Sequence, residues 1–183
     1  VWTFHLREGV KWYDCELNEY ADVTADDFVF GAEWILTPAN ESDNVDTLAN
    51  VIVNAKEYFD GTVTDFAEVG VKALDEHTLQ YTLKDTCPYF LSMMTYVAFM
   101  PANRQFVEEC GEYYGTSNDT LLYNGAYYCT SWEPQNELVM ERNDNYWDAE
   151  NVSIKTVYGK YNAEAEALAP EMYLRGEIDE ATI

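Results

Sequence analysis

Val1-Trp2-Thr3-Phe4-His5-Leu6-Arg7-Glu8-Gly9-Val10-Lys11-Trp12, taken with Val23-Thr24-Ala25-Asp26-Asp27-Phe28-Val29-Phe30, is the stretch from which the rest of the chain can be read. Trp2, Phe4 and Leu6 alternate with Val1, Thr3 and His5, the period of two that marks a strand with one buried face. A strand that opens at residue 1 has no partner before it, so the chain is expected to belong to a longer polypeptide. Further on, Thr24 stands three residues before Asp27, the spacing of a capping box in which a hydroxyl and an acid satisfy free N–H groups at a helix start. Phe28, Ala32, Ile35 and Leu36 then share a helical face until Thr37-Pro38 stops the run. Between strand and helix, Lys11 to Asp22 is polar, with Asp14, Glu16, Asn18, Glu19 and Asp22, and reads as a solvated loop.

Outward from this start the period changes several times. Leu48, Val51, Ile52, Ala55 and Phe59 recur at three- and four-residue spacing and predict a helix from Val45 to Tyr58, ended by Asp60-Gly61. Val69, Val71 and Ala73 then alternate, as do Leu79, Tyr81 and Leu83, and Leu74-Asp75-Glu76-His77 turns between them, so a hairpin is predicted. Pro88 and Pro101 each suit a first helical turn, where a missing N–H costs nothing, and predict helices over 88–94 and from 101 toward Cys110. The apolar run Phe90 to Met100 reads as core, with the passage between two lobes around Tyr96 to Ala102. A second hairpin pairs Ala126–Trp132 with Glu137–Arg142, a strand follows at Ile154–Lys160, and a closing helix over Ala163–Leu174 contains Pro170, which demands a kink or a late start. Strands and helices in this alternation give a mixed α/β (α+β) fold class.

Composition excludes whole classes of function. With 34 acidic against 10 basic side chains, the net charge of −24 repels polyanions and supplies no basic patch, so nucleic acid is not an expected partner. At 183 residues and 48% hydrophobic content the chain is long and apolar enough to fold around a core. Its apolar runs all fall short of the roughly 20 residues that a membrane span requires. Cys15, Cys87, Cys110 and Cys129 lack metal-ligand spacing and stand far from His5 and His77, so neither a metal site nor a cofactor is expected. Two readings of the cysteines stay open: disulfides in one of three pairings, or buried free thiols.

Six segments resemble, in motif and in order, the extracellular solute-binding proteins of family 5, the oligopeptide-binding proteins of peptide ABC transporters. They are Trp2-Thr3-Phe4-His5-Leu6-Arg7, Val23-Thr24-Ala25-Asp26-Asp27-Phe28, Gly70-Val71-Lys72-Ala73-Leu74-Asp75-Glu76-His77-Thr78-Leu79, Asn124-Gly125-Ala126-Tyr127, Glu141-Arg142-Asn143-Asp144-Asn145-Tyr146-Trp147-Asp148 and Gly176-Glu177-Ile178-Asp179. The resemblance implies a periplasmic-binding-protein-like type II architecture, with residues 1–100 as the small second domain and 101–183 as part of the first lobe, truncated at its C-terminus. It also implies an extracytoplasmic receptor, periplasmic or a cell-surface lipoprotein. Such a receptor closes two lobes on a peptide or related small solute and presents it to an ABC permease, with the missing domains of the same polypeptide supplying most of the site.

Physically, most of these motifs read as scaffold. Asn124-Gly125 predicts a tight turn using positive φ, Asn143-Asp144-Asn145-Tyr146-Trp147 a turn that drops two aromatics onto the lobe, and Arg175-Gly176-Glu177-Ile178 a helix end followed by a new strand. Two places depart from the family. The segment from Tyr13 to Asp22 is longer, and the loop after the first helix, which in oligopeptide binders carries a ligand-facing tyrosine, has no aromatic here. The candidate ligand-binding residues implied by that loop are Asn40, Glu41, Ser42, Asp43 and Asn44.

Two other functions compete. A glycosidase would need paired carboxylates, but nearly one residue in five is acidic, so pairs such as Asp26/Asp27 and Glu108/Glu109 arise by chance, and Asp27 already has a capping role. A cell-surface interaction module would use tyrosine-rich patches such as Tyr113-Tyr114 and Tyr123. No nucleophilic triad, phosphate loop or metal cluster favours catalysis, and a receptor without enzymatic activity is the expectation.

Overall fold

Helix α1, Ala25–Leu36, starts where Thr24 leaves the extended conformation, and a capping box forms there. In this computed structural model, which describes residues 1–180, Asp27 Oδ2 accepts the Thr24 backbone N–H at 2.8 Å. The same carboxylate reaches well beyond its own helix. Oδ2 also accepts the Trp12 indole N–H at 3.1 Å, and Oδ1 accepts the Asn103 amide at 3.3 Å. Asn103 in turn caps the helix over Arg104–Cys110 by accepting the Phe106 N–H, and the Ala102 N–H donates to the Asp27 carbonyl. One buried acid therefore ties together a helix start, the segment before it and a helix 76 residues later.

Trp12 belongs to a structured element that the polar composition of Lys11 to Asp22 concealed. Strand β2, Lys11–Tyr13, pairs antiparallel with β3, Glu19–Asp22, so the expected solvated loop is a hairpin with only its tip, Asp14–Asn18, outside the ladder. Charged residues mask the pattern because they take the outward positions, while Trp12 and Tyr13 are buried. Tyr20 holds β3 in place. Its hydroxyl donates to Glu109 at 2.9 Å, its ring meets Phe106 edge-on, and burial together with Glu109 pushes its pKa up to about 12.

The chain clusters into two compact units, Val1–Tyr13 with Glu19–Tyr114, and Asp14–Asn18 with Gly115–Ile183. In the first unit, β1 (Trp2–His5) lies beside β5 (Thr78–Tyr81), which pairs with β4 (Val71–Asp75), all antiparallel. Trp2 and Phe4 face Tyr81 and Leu79 across the ladder, as their alternation requires. Tyr81, Phe90 and Phe99 pack edge to face at centroid distances of 5.5–5.9 Å, and Leu36, Leu48, Ile52 and Val69 complete a fully buried core. Gly31 lets α1 approach the next segment closely: a Cβ there would lie 2.6 Å from the Met100 carbonyl oxygen.

The helix expected over Val45–Tyr58 is two short ones, α2 (Val45–Ala49) and α3 (Ala55–Phe59). Between them Ile52 forms a bridge with Leu83, and the Val51 and Val53 backbones bond to Lys84 and Thr82, so the segment serves as a short edge to the sheet. Asn54 makes the return to helix at φ 59°, a conformation that Asn tolerates. Helix α4 occupies Phe90–Met93, and α5, Arg104–Cys110, begins three residues after Pro101 because Asn103 provides its cap.

The second unit is built on a three-stranded antiparallel sheet of β6 (Tyr127–Glu133), β7 (Glu137–Arg142) and β8 (Thr156–Lys160). Asn143, fully buried, joins two of the quoted motifs. It donates from Nδ2 to the Gly125 carbonyl at 3.1 Å and from its N–H to Ala126, and its Oδ1 accepts the Asn145 N–H at 2.9 Å. Gly125 has no positive φ, so the Asn124-Gly125 pair serves this docking rather than a tight turn. Trp147 meets Tyr146 at a tilt, with ring centroids 5.4 Å apart, and remains 53% exposed. Helix α6 runs over Ala165–Leu174 with Pro170 inside it, and Gly176, at φ 72°, closes it. The Gly176 and Glu177 N–H groups bond back to Tyr173 and Met172, the pattern of a Schellman end. The strand expected beyond Glu177 is absent as far as residue 180, and its continuation lies outside the described residues.

Burial raises the Asp27 pKa against the four hydrogen bonds that lower it. With the folded value above the unfolded one, the folded chain holds this proton more tightly. Its contribution to stability therefore falls as pH rises from the ordinary carboxylate range through the raised value. Asp27→Asn keeps one acceptor and turns an amide toward surrounding donors. It is expected to cost about 1–3 kcal/mol in urea unfolding and to abolish that pH slope. Asn143→Ala leaves the Gly125 carbonyl and the Asn145 N–H without their partner and is expected to cost a similar amount, about 1–3 kcal/mol, by the same assay.

Candidate functional site

Asn40, Glu41, Ser42, Asp43 and Asn44 form the turn between α1 and α2, and much of their chemistry is committed to it. Asn40 closes a 3-10 turn and donates its amide to the Trp34 carbonyl at 2.8 Å. Glu41 takes a left-handed conformation at φ 48°, and Ser42 accepts the Asn44 N–H at 3.3 Å. The side chains of Glu41 and Asp43 are exposed.

Immediately after this turn, an open depression of about 690 Å³ lies within the first unit, and none of the five residues lines it. One wall is Asp46, Thr47, Asn50 and Val51; the other is Tyr89, Ser92, Met93, Thr95 and Tyr96. Its volume falls in the range of roughly 300–1,000 Å³ typical of small-molecule sites. Both walls follow helical geometry. Asp46 and Asn50 are four residues apart, as are Thr47 and Val51, while Tyr89, Ser92, Met93 and Tyr96 are spaced i, i+3, i+4, i+7 on and around α4.

The run Phe90 to Met100, whose apolar composition predicts core, is core only in part. Phe90, Ala98 and Phe99 are buried, whereas Tyr89 and Tyr96 are 63% and 62% exposed. The missed signal was the polar residues Ser92 and Thr95, which share a face with the two tyrosines opposite Phe90. The lining can offer a carboxylate, hydroxyls, one amide and two aromatic rings, with apolar surface from Val51 and Met93. Such groups bind and orient a ligand.

Asp27, Glu109, Tyr114 and Tyr123, weighed above for other functions, are engaged structurally. Asp27 is the hub described above, and Glu109 accepts bonds from Tyr20 and Gln105. Tyr114 meets Trp34 at 6.1 Å, and Tyr123 bonds the Asn118 carbonyl and packs on Tyr128. All four cysteines are free thiols; Cys129 is buried and Cys87 points its Sγ at Met93 Sδ, 3.9 Å away. Among the described residues no three His, Cys, Asp or Glu side chains come together to hold a metal, and no helix is long and apolar enough to cross a membrane.

Comparison with known proteins gives this geometry its context. Residues 1–183 match the family described as bacterial extracellular solute-binding proteins, family 5 Middle. The oligopeptide-binding protein AmiA of Streptococcus pneumoniae is 37% identical over 159 residues, 86% of this chain and 24% of its own length. SarA of Streptococcus gordonii, also an oligopeptide-binding protein, is 33% identical across 100% of this chain and 28% of its own length. Among solved structures, a periplasmic oligopeptide-binding protein of Borrelia burgdorferi superposes with a TM-score of 0.81 at 32% identity, over 97% of this chain and 34% of that one. The chain thus spans about a quarter to a third of the length of these relatives, and its fold is mixed α/β and periplasmic-binding-protein-like. A match that runs from the first residue to the last places this chain in family 5 of the bacterial extracellular solute-binding proteins.

Proposed function

We propose that the chain is one segment of an extracytoplasmic receptor that binds peptides and delivers them to an ABC permease. The observation that carries this is continuous similarity, at 33–37% identity over 86–100% of the chain, to proteins named for oligopeptide binding. The chemistry of the depression agrees with it. Hydroxyls, an amide and aromatic faces suit the alternating polar and apolar character of a peptide, and the lining lacks a paired acid and base. The receptor is not an enzyme: it works by differential affinity for open and closed arrangements of its lobes, without covalent chemistry.

In this reading residues 1–100 form the small second domain and 101–183 part of the first lobe. The remaining two thirds to three quarters of the receptor, judged by the relatives' length, supply the opposite side of the site. Residues 40–44 shape the rim next to the depression, and ligand contact begins at Asp46. The protein acts outside the cytoplasm, either in a periplasm or held at the cell surface by a lipid anchor.

Titrating the full-length polypeptide with a peptide library while following tryptophan fluorescence is expected to give a saturable shift; no response to any peptide would overturn the proposal. The 183-residue chain by itself is expected to bind those peptides weakly or not at all in calorimetry, because it carries only one side of the site. Micromolar affinity in the isolated chain would contradict that division of labour.

A further inference from the structure

Asp46 is the one charged residue lining the depression, and it is exposed on the first turn of α2. No salt bridge engages it among the described residues. The two nearby lysines are committed elsewhere: Lys56 bonds Asp60 at 2.6 Å, and Lys84 donates to the Ala49 carbonyl at 2.9 Å and faces Glu57 at 3.7 Å. A carboxylate thus stands open on a ligand-sized depression, with no ion pair among the described residues and only the longer-range field of Lys56 to offset it.

The surroundings narrow what could supply a counter-ion. Val51 and Met93 give apolar surface on the two walls that matches an aliphatic stem, since lysine and arginine cover apolar surface with their methylenes while keeping the charged head in a polar setting. Tyr89 and Tyr96, both largely exposed, offer ring faces that attract a cation, and Asn50, Ser92 and Thr95 offer acceptors for its N–H groups. The chain's net charge of −24 acts in the same direction at long range, concentrating cationic ligands near the protein and disfavouring anionic ones.

We infer that this depression is a specificity pocket for a lysine or arginine side chain of the bound peptide, with Asp46 as its counter-ion. The inference rests on the receptor reading above and deepens it by naming the class of peptide preferred. An apolar side chain would cover Val51 and Met93 but leave Asp46 facing the ligand without an ion pair. A glutamate side chain would meet both Asp46 and the acidic surface, and would be rejected.

The test is a lysine scan. Alanine pentapeptides carrying lysine at each position in turn are compared by calorimetry with matching norleucine peptides on the full-length polypeptide. The terminal ammonium is common to each pair and cancels. At one position lysine is expected to bind about tenfold tighter, as an ion pair and a cation–ring contact acting together would give. Asp46→Asn is expected to bring that ratio near one, and added salt to shrink it. Glu8→Gln, an equal loss of charge away from the depression, is expected to leave the ratio intact. If Asp46→Asn fails to fold by its thermal midpoint, Tyr96→Leu takes its place and is expected to lower the ratio severalfold. Peptide binding with no lysine preference at any position, a preference untouched by Asp46→Asn, or one lost equally in Glu8→Gln would each overturn the pocket while leaving the receptor reading standing. Failure of every peptide to bind would overturn both.

Discussion

Much of the first unit depends on one buried carboxylate. Asp27 accepts four hydrogen bonds, from the indole of Trp12, the backbone and hydroxyl of Thr24, and the amide of Asn103. A charge taken out of water is costly unless its acceptor sites are filled. The donors come from a hairpin, a helix cap and the cap of a second helix, so satisfying the charge fixes where those elements lie. The Ala102 N–H on the Asp27 carbonyl fixes the same meeting point through the backbone. The aromatic core of Tyr81, Phe90 and Phe99 supplies the larger, undirected stabilisation; Asp27 supplies the directional constraint.

That arrangement bears on function through Phe90. Its burial against Trp2, Phe4 and Tyr81 anchors α4, so Ser92 and Met93 on that helix and Tyr89 and Tyr96 flanking it are left to line the depression. The opposite wall is held in an equivalent way: Leu48 and Ile52 are fully buried, which leaves Asp46, Thr47, Asn50 and Val51 to line the depression. A pocket carried on faces of anchored elements is preorganised, and less ordering entropy is lost when a ligand arrives. In the proposed reading, the acidic surface sets the sign of what is attracted, and Asp46 the place where it is held.

The parts legible from sequence were those whose signal is local. The Thr24 capping box and the β4–β5 and β6–β7 hairpins follow from spacing and turn residues, whereas Pro170 stands inside α6 rather than at its start. What stayed hidden depended on distant partners. Charged residues concealed the β2–β3 hairpin, whose Trp12 is explained only by Asp27. Helical spacing over 45–58 concealed a bridge to Leu83, because Ile52 is equally apolar in either conformation. Asn143 read as a turn former, and its role in joining β7 to Gly125 is visible only in the fold. The depression was hidden for the opposite reason. The run Phe90 to Met100 is apolar enough to read as core, and the exposed Tyr96 within it looks no different in sequence from the buried Phe99.

Hydrogen exchange of the full-length polypeptide with and without bound peptide tests most directly whether this depression is part of the ligand site. Contact there predicts slowed exchange for backbone amides between Asp46 and Val51 and between Tyr89 and Tyr96 when peptide is present. Unchanged exchange in both segments under saturating peptide, with protection confined to other parts of the polypeptide, would contradict it.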